Sequence, residues 1–375
     1  MNLELTDEQV ALRDTVRRFL AEKAAVATHV RPLLEEPTGR TDEVWHGLAA
    51  LGATGLLVPQ EYGGDGMTMV EAGVVAEELG AALHPGPWLS SAVAAARALT
   101  RTDGGDAAAA LLAGIADGTT VATIGPLSGP SPASAESQEG VILRGEITAL
   151  PDAAAADIVL VLAEDGGEAA LFAVDPTSAG VTVAVRPHID QTRKLFDVVF
   201  DGAPARRLAP APEDAIQRIV DDVLTAYAAD ALGAASAVMK LAVEYAKVRR
   251  QFDQPIGSFQ AVQHLCVDMY ETVELARGGV IHALWAADAA EPAEHHLAAL
   301  RAKAFAGKLA SVGDTAIQVF GGIGYTWEHD AHLYLKRLLG WSAFLGGADQ
   351  SLEAVGKQLV LSCPRGSEFD REDVQ

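Results

Sequence analysis

Arg249, Arg250 and Phe252 are the side chains whose types and spacing most invite chemistry. A guanidinium fork pairs two anionic oxygens at once, and an aromatic face packs on a flat ring. The cluster therefore suits a diphosphate joined to a heterocycle. It stands just before Asp253-Gln254-Pro255, where the chain must turn. Pro255 has no N–H to continue a helix, and it biases Gln254 towards an extended backbone. Taken alone, such a cluster has a plainer reading as a solvated basic helix end. A second stretch is Gln318-Val319-Phe320-Gly321-Gly322-Ile323-Gly324-Tyr325, whose glycine pair lets backbone approach a ligand closely. Glu328, His329 and His332 follow it, but a metal would want a further ligand, so no metal site is expected. His295 and His296 read as surface residues. Gly63-Gly64-Asp65-Gly66 is too loose for a phosphate loop, with no strand before it in a βαβ unit.

The elements that must position these residues fall into three textures. Thr6 with Gln9 and Thr68 with Glu71 have capping-box spacing, Leu5 and Val10 can staple the first helix, and Gly80 is a candidate C-cap. A further helix is expected from Trp45 to Leu51, and alanine-rich helices over roughly 89–116. From Thr119 the chain becomes β-rich. Short runs at Val121–Ile124, Val141–Arg144, Ile158–Leu162, Ala170–Val174, Val181–Val185 and Val198–Phe200 are punctuated by Gly, Pro, Ser and Asp. Ala203 to Pro212 reads as a linker. Helical periodicity then returns in a single stretch from Ala215 to Arg250, with further helices expected over 258–288, 293–321 and 329–360. The expected organisation is a multi-domain α+β chain. An N-terminal all-α domain (1–117) precedes a middle β-barrel or sandwich (118–212), a C-terminal four-helix bundle (213–365) and a polar tail (366–375).

Composition narrows the function. Of 375 residues, 49% are hydrophobic and 21% charged, ordinary for a globular chain with sizeable cores. A net charge of −23 argues against nucleic acid and anionic membrane surfaces as partners. Cys266 and Cys363 are too few for a disulfide framework. The N-terminus is polar and acidic, unlike a signal peptide, and no uninterrupted apolar run of membrane-spanning length stands out. A cytoplasmic setting is expected.

The wording around the first cluster is more specific than its chemistry. Tyr245-Ala246, Arg249, Phe252, Pro255-Ile256 and Phe259-Gln260 together resemble the flavin-contacting segment of acyl-CoA dehydrogenases. Ala302-Lys303-Ala304-Phe305-Ala306 and the glycine-rich stretch from Gln318 to Tyr325 agree with it in order, as do Gly55-Leu56-Leu57-Val58-Pro59 and Glu77-Glu78-Leu79-Gly80. The resemblance covers essentially the whole chain and implies the same three-part fold. It also implies FAD as cofactor, an acyl-CoA substrate, and an electron-transfer flavoprotein or similar acceptor. In such enzymes a carboxylate removes the α-proton of the thioester while the flavin accepts the β-hydride. One subunit cradles the flavin ring, and its neighbour lends a turn to the diphosphate and adenosine. By resemblance the lending residues here are Arg249, Phe252, Gln260, Gln318, Gly321 and Gly322.

Other parts of the pattern are changed. The strand and loop that usually meet the flavin read Thr123-Ile124-Gly125-Pro126-Leu127-Ser128-Gly129-Pro130 here. Ile147-Thr148-Ala149-Leu150 stands where a tryptophan is usual. The two family positions for the glutamate base hold Leu345 and Val223, so no catalytic residue is assigned. The nearest carboxylates, Asp222 and Asp349, read as solvated helix-surface acids. The sequence therefore resembles the base-less subunit of the bacterial α2β2 heterotetrameric acyl-CoA dehydrogenases of steroid degradation. Three alternatives stay open: a homo-oligomeric dehydrogenase with Asp222 or Asp349 as a displaced base, a flavin-free structural subunit, and a flavin oxidase or monooxygenase on the same fold.

Overall fold

Helices occupy the first third of the chain in the computed structural model, which describes residues 4–102, 104–137 and 140–362. The expected tail from Gly366 lies outside the described residues. α1 (Asp7–Lys23) opens at Thr6, whose N–H donates to Gln9 Oε1 (3.0 Å) while its hydroxyl accepts from the Gln9 N–H (3.3 Å). α2 (Asp42–Ala50) and α3 (Met69–Ala81) follow, α3 with the reciprocal Thr68–Glu71 box. Gly80 does not end α3. The helix runs to Ala81, and Gly80 instead lets α3 touch a helix of the bundle: a Cβ there would lie 1.9 Å from the Asp230 carbonyl oxygen. Gly233 answers from the other side, where a Cβ would lie 1.8 Å from the Glu77 carbonyl. A π-helical stretch (Leu89–Ala95), α4 (Ala96–Arg101) and α5 (Gly105–Ala116) complete this part.

Eight strands form one curled sheet: β1 (Ala122–Gly125), β2 (Ala133–Ser137), β3 (Gly140–Pro151), β4 (Ile158–Asp165), β5 (Glu168–Val174), β6 (Val181–Arg186), β7 (Leu195–Pro204) and β8 (Arg206–Pro210). They lie in the order β6-β7-β3-β2-β4-β5-β8, with β1 parallel to β4. Alternation decides the two faces. Val159, Val161 and Phe172 join Phe196, Val198 and Phe200 in a core inside the sheet, while Leu160, Leu162 and Leu171 pack outward on α4, α5 and the bundle. β2 was not expected, because Ala-Ser-Ala-Glu-Ser has no apolar run and is mostly exposed. The expected linker from Ala203 to Pro212 is partly strand. β8 pairs with β5 at the edge of the sheet, where its terminal Pro210 is tolerated.

The rest is a helical bundle around α6 (Glu213–Val248), a single helix of 36 residues and about 54 Å. A two-strand hairpin of β9 (Arg250–Gln251) and β10 (Gln254–Pro255) turns the chain into α7 (Gln260–Ala289), followed by α8 (Pro292–Ala306), α9 (Ala310–Phe320), α10 (Ala331–Ala343) and α11 (Ala348–Ser362). Contrary to the sequence expectation, α6 is long and apolar enough to span a membrane, with a mean hydropathy of 1.2 over its best window. That window is 78% buried in the protein, which marks a core helix. The helix expected over 293–321 is interrupted by a 3₁₀ turn at Gly307–Leu309. The one expected over 329–360 breaks at Phe344–Gly347, where Leu345 (φ 50°) and Gly346 (φ 100°) take left-handed backbone.

A buried ionic cluster joins the N-terminal helices to the bundle. Asp222 of α6 accepts from Arg101 Nε (3.0 Å) and lies 3.6 Å from Arg97 Nε and 3.3 Å from His295 Nε2. Arg97 also pairs with Asp288 of α7 at 2.6 Å. Asp222 is 0% exposed and His295 1%, so neither is the surface residue expected from the sequence. Burial by itself would raise the Asp222 carboxyl, but Arg97, His295 and Arg101 hold it below the usual carboxylate range.

Candidate active site

Four segments enclose a cavity of about 250 Å³. They are the end of β1 with the loop after it, the far half of β3, the loop before β7, and the α10–α11 break opposite Tyr227 of α6. β3 slips register between Ile147 and Leu150, with Ala149 at φ 55° and its N–H donating to Asp197 Oδ1 at 3.1 Å. The slip places Ile147, Ala149 and Leu150 along the cleft. The break after α10 brings Phe344 onto Tyr227, rings 4.4 Å apart and 15° from parallel, and sets Leu345 at the cleft wall. The sequence segments singled out as altered, Thr123–Pro130, Ile147–Leu150 and Leu345, thus converge on one cavity.

Charge is concentrated on the cavity floor, and most of it is neutralised by the protein. Asp230 accepts from Arg193 (2.7 Å) and from Arg337 (2.7 and 2.9 Å); Arg337 also donates to Thr192 Oγ1 at 2.8 Å. Burial would raise the Asp230 carboxyl, but the two guanidinium groups hold it low. Lys194 donates to the carbonyls of Leu33 and Leu34 at 2.8 and 2.7 Å. Burial pushes the Tyr227 hydroxyl up to about 12. Asp152 accepts from the Ser90 hydroxyl, and burial raises its carboxyl. The sequence reading missed this floor. A lone Asp in the alanine-rich run around Asp230 was the available signal, since an unpaired acid there would be costly. Asp152, in Pro151-Asp152-Ala153, looked like an ordinary turn residue.

Val223 is buried in an apolar cluster that Leu345 packs against, and Leu345 lines the cleft. Asp222 points into its ionic cluster, Asp349 is exposed at the start of α11, and neither lines the cavity.

The residues picked from the motifs stand elsewhere. Arg249, Phe252, Gln260, Gln318, Gly321 and Gly322 are all exposed, and none lines the cleft of its own chain. The rings of Tyr245 and Phe320, 5.1 Å apart, tie the end of α6 to the end of α9, so both motifs share one end of the bundle. Phe252 and Asp253 form the hairpin turn at φ 51° and 61°, which leaves the Phe252 ring 86% exposed. Arg250 folds back to donate to the Asp253 carbonyl, whereas Arg249 has no side-chain partner among the described residues. Gly321 (φ 64°, ψ −143°) adopts a backbone open essentially to glycine alone.

The acyl-CoA dehydrogenase N-terminal domain model matches residues 6–119, and the C-terminal domain model matches 224–360. IpdE2 of Mycolicibacterium smegmatis, named an acyl-CoA dehydrogenase, is 33% identical over 93% of this chain and 97% of its own length. The chain belongs to the acyl-CoA dehydrogenase family. FadE34 of Mycobacterium tuberculosis, also named an acyl-CoA dehydrogenase, is 36% identical over 94% of this chain, which spans only 48% of that protein. Among solved structures, the ChsE4-ChsE5 complex of Mycobacterium tuberculosis has a chain superposing with a TM-score of 0.88 at 28% identity, covering 97% of this chain and 100% of that one. A Tcur3481-Tcur3483 steroid ACAD variant gives 0.86 at 28%, covering 95% and 98%.

This dehydrogenase family binds FAD, and the exposed turn and the cleft differ in how they suit it. The exposed turn fits. Arg249 has free donors, the Gly321 backbone lies open, and the Phe252 ring is uncovered. The cleft does not fit the flavin ring. Ile147 gives no aromatic shelf, Pro126 has no N–H, and Arg193, Arg337 and Lys194 each already donate to protein oxygens.

Proposed function

We propose that this chain is the base-less subunit of an FAD-dependent acyl-CoA dehydrogenase. It lends its exposed turn to the flavin of a partner subunit that carries the catalytic glutamate. The observation that carries this reading is that Leu345 at the cleft wall, and Val223 in an apolar cluster that Leu345 packs against, leave no ionisable group at either base position. The six exposed motif residues support the lending role: free donors, an open glycine backbone and an uncovered ring suit a diphosphate and adenosine brought by another chain. Arg249 pairs with the diphosphate, and Phe252 packs beside the dinucleotide. The reaction of the assembled enzyme is α,β-dehydrogenation of an acyl-CoA, with an electron-transfer flavoprotein or similar acceptor reoxidising the flavin. The likeness to a steroid ACAD supports a ring-bearing acyl group. The assembly is the α2β2 heterotetramer that the family resemblance implies, with one base and one complete flavin site per unlike pair.

The test is anaerobic flavin reduction by a panel of acyl-CoAs, including steroid thioesters, with the chain alone and with its partner. Reduction is expected only with the partner, and it should depend on a glutamate in that partner. Fast reduction by the lone chain, abolished by Asp222→Asn or Asp349→Asn, overturns the reading in favour of a displaced base.

A further inference from the structure

One polar atom in the cleft is left unanswered by the protein. Asp152 lines the cavity and is 1% exposed. Its Oδ2 accepts from Ser90, but its Oδ1 is buried without a hydrogen-bond partner. Buried polar atoms are nearly always answered, so this one asks for a partner from outside the chain. Its charged neighbours do not need one: Asp230 is held by Arg193 and Arg337, and Lys194 by two carbonyls. The walls around it are apolar, formed by Leu127, Ile147, Leu150 and Trp341.

We propose that this cleft is a ligand site in its own right, for an uncharged fused-ring alcohol or phenol whose hydroxyl meets Asp152. A hydroxyl both donates and accepts, so it answers Oδ1 whichever way the carboxyl is protonated. Burial raises that carboxyl. A charged ligand of either sign would lose its hydration among these apolar walls, a cost that an uncharged hydroxyl does not carry. Size fixes the ring system: an apolar cavity of about 150 Å³ holds benzene, and this one is about 250 Å³. The inference rests on the reading that the flavin ring is not seated in this chain's cleft.

The experiment is calorimetric titration of the chain, alone and in its complex, with 2-naphthol, naphthalene and 2-naphthoate, while flavin absorbance is followed in parallel. The expected result is saturable binding of one 2-naphthol per chain, about tenfold or more tighter than naphthalene, with 2-naphthoate weakest. Asp152→Ala should remove the advantage of 2-naphthol, and Ile147→Trp, which fills the cavity, should block both neutral probes. Melting curves show whether each variant folds; if Asp152→Ala does not, the probe comparison and Ile147→Trp decide between them. Equal binding of 2-naphthol and naphthalene, or 2-naphthol binding that survives Ile147→Trp, overturns the inference. No binding with flavin absorbance unmoved sinks the ligand site alone. Release of flavin from the lone chain by 2-naphthol sinks the functional reading beneath it.

Discussion

A guanidinium without a partner of its own, as at Arg249, is free to place its donors on a ligand's oxygens. Arg249→Ala is expected to remove a charge-assisted contact of roughly 1.5–3 kcal/mol. The affinity of the assembled complex for FAD should fall by about one to two decades, read as flavin retained after dialysis. At the cleft, Leu345→Glu in the lone chain should restore little activity. A positioned base is typically worth roughly 10²–10⁴-fold, but Ile147 and the loop from Thr123 to Pro130 still give the ring no seat. Rapid acyl-CoA-dependent bleaching by that variant alone would refute this. His84 governs a pH effect. Burial lowers it to about 3, with the charges of His29 and Arg337 acting in the same sense. Below about pH 6.5 the unfolded chain takes up a proton that the folded His84 refuses, so stability should fall by up to about 1.4 kcal/mol per pH unit. His332, lowered to about 4, adds a loss of the same sign over the upper part of that range. Denaturant titrations of His84→Gln should show a flatter slope between about pH 6.5 and 4. The depressed carboxyls of Asp222 and Asp230 act lower. Their stabilisation is present above the ordinary carboxylate range and is lost as pH falls through their folded values. Pro255 made the turn legible in the sequence, and the family resemblance of the wording around it gave Arg249 and Phe252 a role, because a motif on a hairpin needs only its neighbours. Asp152 was not legible, since its burial depends on α6, the loop before β7 and the helix start carrying Ser90 arriving together.

Elements are held to one another by two devices that replacement can test. Gly80 and Gly233 let α3 and α6 touch backbone to backbone. Gly233→Ala should force the pair apart and cost a few kcal/mol, in the range of about 1–3 kcal/mol or more for overpacking. A melting temperature equal to that of the parent would show that the helices can slide. The Asp222 cluster ties α4, α6, α7 and α8. Asp222→Asn leaves Arg97 and Arg101 with one carboxylate, Asp288, between them, a change expected to cost up to about 3–5 kcal/mol. At this scale the sequence was legible wherever periodicity or capping decided the outcome, as at Thr6 and Thr68. It failed where tertiary contacts decide: β2 and β8 exist because neighbouring strands need partners, and the α10–α11 break depends on left-handed backbone at a leucine. Periodicity carried the expected helix straight through Leu345, the residue whose placement matters most.

For the molecule as a whole, assembly is the expectation. Val248, Phe252, Tyr325 and Trp327 leave 59–86% of their surfaces in water at one end of the bundle. Exposed apolar side chains gathered this way mark a surface that another chain covers. Sedimentation should find a stable oligomer at micromolar concentration, at least with the partner present; a monomer under both conditions contradicts it. The three-part organisation was legible in the sequence because each part has its own texture. The buried cavity between the parts was not, because no local pattern records which loops converge. The length of α6 has one more consequence. Tyr227 at the cleft and Arg249, which caps α6 at the turn, are 22 residues apart, about 33 Å, while a dinucleotide's ring and diphosphate are only a few bonds apart. On the proposed function, a molecule that meets both a cleft and a turn takes them from different chains. Inheritance can then act on the two ends separately: after a gene doubles, one copy can lose its cleft and the other its turn, and neither loss is felt while the two copies are made together.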